Sequence, residues 1–182
     1  MRAYIYILSL VIVCLFGCSR ASQDAVTIGV RFGGTTNVSL VASPKNVTAW
    51  RTDSSLQPSE SYEVSLLKHF TKSGVSISVP PDLVMQLTNV LLNERSYISR
   101  RIADQCIHEP DLVLTFSNGA RDLDLFFCID CEIMFVKIGD GEKGQPPNQV
   151  DSDFTRVAAP KLAHIIKQIF PKDDAIQRLK DN

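Results

Sequence analysis

The chain has 182 residues, 45% hydrophobic and 21% charged, with a formal net charge of −1. That length suits one compact domain, and the composition excludes a disordered tail, a low-complexity fibre and a polytopic membrane protein. No basic field is present to hold a polyphosphate by counterion release, so no nucleic-acid partner is expected.

Met1-Arg2-Ala3 is a short positive segment ahead of an uncharged apolar run from Tyr4 to Phe16. At a rise of ~1.5 Å per residue the run falls short of a ~30 Å hydrocarbon core. It therefore reads as the apolar region of a signal peptide rather than as a transmembrane or buried helix. The run ends Leu15-Phe16-Gly17-Cys18, which resembles the lipobox of bacterial lipoproteins. The resemblance implies that the Cys18 sulfur receives diacylglycerol, that the leader is cut ahead of Cys18 and that the new amino group is acylated. Ser19 behind the cysteine then implies an outer-membrane anchor facing the periplasm. The alternative is ordinary signal-peptidase cleavage near Ser19-Arg20-Ala21-Ser22, which would release a soluble exported protein. Each buried CH₂ of a lipid contributes ~0.8 kcal/mol, so two or three acyl chains hold firmly. With no positive surface to draw it to anionic lipid, the protein would meet the membrane through its N-terminal lipid. The expected division is a signal peptide over 1–17, a tether over 18–25 and one domain over 26–182.

Along the domain, Val26 to Phe32 reads as a strand ended by Gly33-Gly34. A second strand runs from Val47 to Arg51, with Val47, Ala49 and Arg51 on one face and Trp50 on the other. Thr52 to Ser61 is a polar loop, Tyr62 to Phe70 a strand, Lys72-Ser73-Gly74 a turn, and Val75 to Val79 a short strand. Pro80-Pro81-Asp82 opens a helix over 81–93, where proline's absent N–H is not missed. Leu83, Val84, Leu87, Val90 and Leu91 supply its apolar stripe. Asn93 to Arg101 is a polar loop.

Asp111 to Ile138 carries the main β signal. Asn118-Gly119 favours a two-residue type I′ loop. That loop sets Ser117 opposite Ala120, Phe116 opposite Arg121, Leu114 opposite Leu123 and Leu112 opposite Leu125. The return strand continues with a bend or bulge near Asp130-Cys131. Phe127, Ile129, Cys131, Ile133 and Phe135 share one face; Asp122, Asp124, Cys128, Asp130 and Glu132 share the other. Gly139 to Asn148 is a loop. A helix over 153–170 follows, with Ser152 as its N-cap and a kink or restart at Pro160. A short helix within 173–179 ends the series. The expected fold is α+β: an antiparallel sheet with the Asn118-Gly119 hairpin, covered on one face by the helices at 81–93 and 153–170.

Cys106, Cys128 and Cys131 remain after the leader. An exported compartment is oxidising, so a disulfide is the first reading. Extending the hairpin register sets Cys106 across from Cys131, closing a loop of about twenty-five residues that contributes roughly 3 kcal/mol. Cys128 would then be the odd thiol on the opposite face. One alternative is a Cys128–Cys131 redox pair. It lacks the helix N-terminus that lowers a thiol pKa, and Asp130 and Glu132 sit beside it. The other is a zinc site from Cys106, His108, Cys128 and Cys131, whose count fits Cys₃His although no second C-x-x-C is present. A helix opening Val79-Pro80-Pro81, then Ser96-Tyr97, Cys106, Pro110 and the run Leu125 to Cys131, is similar to a scattered group of uncharacterised bacterial exported proteins and lipoproteins. That resemblance implies no activity.

Asp122, Asp124, Asp130 and Glu132 could hold a divalent cation, but alternation alone produces a solvated acidic face. His69 and His164 lie in strand and helix patterns that need no chemistry. Trp50 and Tyr62 fit either a ligand groove or the core. No nucleophile elbow, P-loop, dinucleotide fingerprint or H-E-x-x-H is present. The function expected is a membrane-anchored envelope lipoprotein with a structural or partner-binding role and no catalysis. The alternative is a thiol-redox or metal-handling periplasmic protein using Cys106, Cys128 and Cys131.

Overall fold

A computed structural model describes residues 28–54, 70–98, 110–138 and 148–179. Six strands form one antiparallel sheet in the order β2-β1-β3-β4-β5-β6. They are β1 (Asn46–Ser54), β2 (Phe70–Ser78), β3 (Leu112–Ser117), β4 (Asp122–Cys128), β5 (Ile133–Ile138) and β6 (Asn148–Asp153). The helices are α1 (Thr35–Ala42), α2 (Pro81–Leu91), α3 (Ala158–Ile169) and α4 (Asp174–Gln177). The α+β class is as expected. The helical cover is larger than two helices, because α1 and the helical residues 28–31 also feed the core through Ile28, Phe32, Leu40 and Val41.

Residues 28–32 are therefore not a strand. Ile28 and Phe32 are four apart, which suits one helical face as well as a pleat, and burial of both decides for the helix. Gly33 and Gly34, at φ 69° and 130°, then redirect the chain into α1. Asn37 in α1 is buried with Nδ2 donating to Phe32 O at 2.7 Å, which locks this junction.

Lys72-Ser73-Gly74 does not turn either. Ala49 stands opposite Ile77 and Arg51 opposite Ser73, so residues 74–76 of β2 oppose Trp50 alone. Gly74, at φ 72°, lets the edge strand bulge there and resume. Tyr62 and His69 lie outside the described residues.

α2 matches its stripe, with Leu83, Leu87 and Leu91 buried and Pro81 in its first turn. α3 starts at Ala158, not at 153, because 148–153 form edge strand β6. Six mostly polar residues give no alternating apolar signal, and backbone pairing to β5 holds them in place. Ser152 is thus a strand residue. The hydroxyl that meets the helix start is Thr155, whose Oγ1 accepts from Ala158 N at 3.1 Å. Pro160 is the third residue of α3, within the first turn, where its missing N–H breaks no bond, so neither kink nor restart is needed. α2 and α3 pack together on the sheet. Tyr97 closes one end of this layer: its O–H donates to Leu91 O at 2.6 Å and its ring stacks on Phe154 at 5.2 Å. The Arg31 guanidinium lies 4.7 Å above that ring.

The β3–β4 hairpin has a different register from the one expected. Ser117 faces Asp122, Phe116 faces Leu123, Leu114 faces Leu125 and Leu112 faces Phe127. The central pair of the loop is Gly119-Ala120. A type I′ loop on Asn118-Gly119 would need positive φ at both residues; here only Gly119, at 88°, has it, which is the II′ pattern. Asn118 acts instead through its side chain, with Oδ1 accepting from Ala120 N at 3.0 Å and Arg121 N at 2.9 Å. The shift keeps every side chain on its face and replaces a Phe116–Arg121 pair by an apolar ladder.

Candidate functional site

The cysteine-bearing end of the sheet is the place where sequence chemistry and structure meet. β4 stops at Cys128. Residues 129–132 turn, and β5 leaves antiparallel with Ile133 opposite Cys128. The expected single strand is two strands. Glu132 N donates to Ile129 O at 3.0 Å to close the turn, and Glu132 takes φ 57°. Asp111 fixes the turn from β3's entry, accepting Ile129 N at 2.9 Å on Oδ2. Glu132 O accepts Phe154 N at 2.8 Å on the other side.

Four turn residues reverse the alternation of faces. Met134 and Val136 enter the helix-side core beside Phe127, while Ile133 and Phe135 go to the other face. Phe70, Val113, Phe126, Cys128, Ile133 and Phe135 form a second buried cluster there, with Trp50 and Cys131 packed against it. Cys128 and Cys131 are consequently on one face, not on opposite faces as the continuous strand implied. Cross-strand arithmetic between Cys106 and Cys131 loses its basis, because Cys131 sits in the turn and the register differs. The Cys131 sulfur is disulfide-bonded. Cys106, His108 and Cys18 lie outside the described residues, so neither the Cys106–Cys131 bridge nor the four-residue zinc set can be placed.

The acidic row separates into different roles. Asp122 and Asp130 are exposed. Asp124 is engaged: Lys72 Nζ reaches its Oδ1 at 2.8 Å, and the buried Thr115 donates from Oγ1 to the same atom at 2.7 Å. Lys72 also lies 5.9 Å over the Trp50 ring. This ridge crosses the sheet from β2 to β4 and borders the second cluster. Among the described residues no group of three His, Cys, Asp or Glu side chains is arranged to hold a metal ion. His164 is an exposed residue of α3 in a groove of about 430 Å³ between α2 and α3, with Gln86, Asn89 and Lys161 around it. Trp50 belongs to the second cluster.

Among the described residues, Tyr97 is a titratable group that its surroundings shift. Burial holds its phenol well above the ordinary range, and the Arg31 guanidinium offsets part of that effect. Sequence reading gave Tyr97 no role, and neither Lys72 nor Thr115 carried a signal that would place them beside Asp124. No known protein family, curated protein or solved structure matches the chain.

Proposed function

We propose that the protein is a lipid-anchored component of the bacterial cell envelope, attached at Cys18 and serving a structural or partner-binding role without catalysis. The observation that carries this reading is the uncharged run Tyr4 to Phe16 running into Leu15-Phe16-Gly17-Cys18. Among the described residues no helix is long and apolar enough to cross a membrane, so the lipid on Cys18 is the membrane contact in this reading. Nine residues at most ~3.6 Å each separate Cys18 from Ile28, enough reach to hold a domain clear of the headgroups. Metabolic labelling with palmitate tests it. Label in the wild type and none in Cys18→Ala is expected; equal label in both would overturn the anchor.

A thiol-redox or metal-handling role is the second reading, favoured by Cys128 at the end of β4 and the disulfide-bonded Cys131 in the following turn packing on the same face. Intact mass with and without reductant, followed by alkylation mapping, separates the two. A Cys106–Cys131 bridge supports the structural role. Three alkylated thiols with bound zinc support the alternative.

A further inference from the structure

The outward surface of the helix layer is basic, although the whole chain carries a formal charge of −1. α3 contains Lys161, His164 and Lys167 and no acidic residue, and Arg156 is exposed just ahead of it. α1 has no charged residue, and the charge in α2 is Asp82, in its first turn. The groove between α2 and α3 shares this bias: Lys161 and His164 stand beside Val90, Pro160 and Ile165, and among the described residues no carboxylate lines it. Exposed hydrocarbon flanks the groove. Met85, one turn from Asn89, is 61% exposed, and Val157, one turn from Lys161, is 67% exposed. Net charge hides the bias, because Asp122 and Asp124 share the opposite face of the sheet with Phe126.

The segment leading back to Cys18 joins the domain on this same layer. Ile28 and Phe32 lie in the helix-covered core, and the Arg31 guanidinium sits over Tyr97, whose O–H reaches the end of α2 at Leu91 O. Ser96 O accepts Thr155 N at 2.8 Å just ahead of α3. The entry is therefore where α2 ends and α3 begins. Arg95 and Arg156 are exposed there, whereas Glu94 and Asp153 are half-buried. The other end of α3 differs: Arg51 Nε pairs with Asp173 Oδ2 at 3.3 Å, so charge is matched.

We propose that the outward face of α2 and α3 lies against the membrane, on lipid with anionic headgroups. The proposal rests on the lipid anchor at Cys18 and names the face that the anchor presents. A short tether holds nearby cations at high effective concentration against the headgroups. Each Lys or Arg near an anionic surface strengthens binding about fivefold, an effect confined to a Debye length. Met85 and Val157 add apolar contact at the headgroup boundary, and the stems of Arg156 and Lys161 lie along it with their charges in water.

The test uses the lipidated full chain, its mass verified, in vesicles of brominated phosphatidylcholine alone or mixed with phosphatidylglycerol. Trp50 is the chain's only tryptophan. Val157→Trp in a Trp50→Phe background therefore reports bromine contact at the proposed face. Val75→Trp in the same background reports the far end of α3, at a position 87% exposed. Strong quenching is expected for Val157→Trp on the mixed vesicles, with little on phosphatidylcholine and little for Val75→Trp on either. Arg156→Gln and Lys161→Gln each lower the docking constant about fivefold. Raised salt lowers it too, while the lipid keeps the protein on the vesicles. Hydrogen exchange of the wild type, which needs no variant to fold, should slow over 154–164 on mixed vesicles and stay unchanged over 70–78. Retained protein with equal quenching at both positions, or on both lipids, overturns the docking face and leaves the anchor standing. A product without lipid overturns both. Self-association in detergent that is lost in Val157→Glu, with no quenching on vesicles, gives the face to a second copy and overturns the proposal.

Discussion

Phe126 and Phe127 are neighbours in β4, yet they belong to different interiors. Phe127 is fully buried in the helix-covered core and stacks 6.3 Å from Phe154. Phe126 points the other way, into the smaller cluster that holds Cys128 and Cys131. The first interior draws on α1, α2 and α3 and on most of the sheet; among the described residues the second is built from strand residues and the adjoining turn. Alternation along a strand assigns each residue to a face, while the number of elements that cover a face decides how firmly it is held. Cys128, Cys131 and the Lys72–Asp124 ridge lie on the face of the smaller cluster.

That contrast is open to direct attack. Phe127→Ala is expected to lose stability near the top of the ~3–5 kcal/mol range for such truncations, and Phe126→Ala near its bottom. Urea unfolding of the two variants would show it, and equal losses would abolish the distinction between faces. Ile166→Ala, fully buried in α3, should cost about 2–5 kcal/mol by the same measurement.

Tyr97→Phe comes next, at about 1–3 kcal/mol, because Leu91 O would lose its donor in a buried site. This residue also makes a prediction about pH. Its folded-state pKa is raised above the unfolded value of 10.0, so the stabilisation is full below pH 10 and declines as pH climbs toward the folded value. Wild-type stability should therefore fall above pH 10 more steeply than that of Tyr97→Phe, as followed by urea midpoints; parallel profiles would contradict the buried phenol. The smallest effect belongs to the ridge on the other face. Lys72→Ala should cost ~1 kcal/mol or less, since both partners are partly exposed. A larger loss would mean that the ridge holds the second face together.

The sequence made some of this legible and concealed the rest for physical reasons. The helix at Pro81 was readable because proline, Asp82 and a stripe at helical spacing all agree. The two faces of β3 and β4 were readable because Leu112, Leu114 and Phe116 alternate, and that parity survived the shifted hairpin register. A break near Asp130-Cys131 was readable from the length of the run, but that the chain reverses there was not: Ile129 to Glu132 contains no glycine or proline, and its left-handed residue is Glu132, held by backbone bonds to Ile129 and Phe154. Strand β6 was hidden by its polar composition, and Arg51 looked like one more residue in a strand. Its pairing with Asp173 joins positions far apart in the chain, a relation that no local pattern encodes.

The proposed anchor is the modified Cys18. Mass spectrometry of the native protein, extracted intact from its own membranes, measures the chemistry directly. It should show a chain that starts at Cys18, lacks residues 1–17 and carries the added mass of diacylglycerol on sulfur. A product that keeps Met1, or one that begins after Ser19 with no lipid, would contradict it.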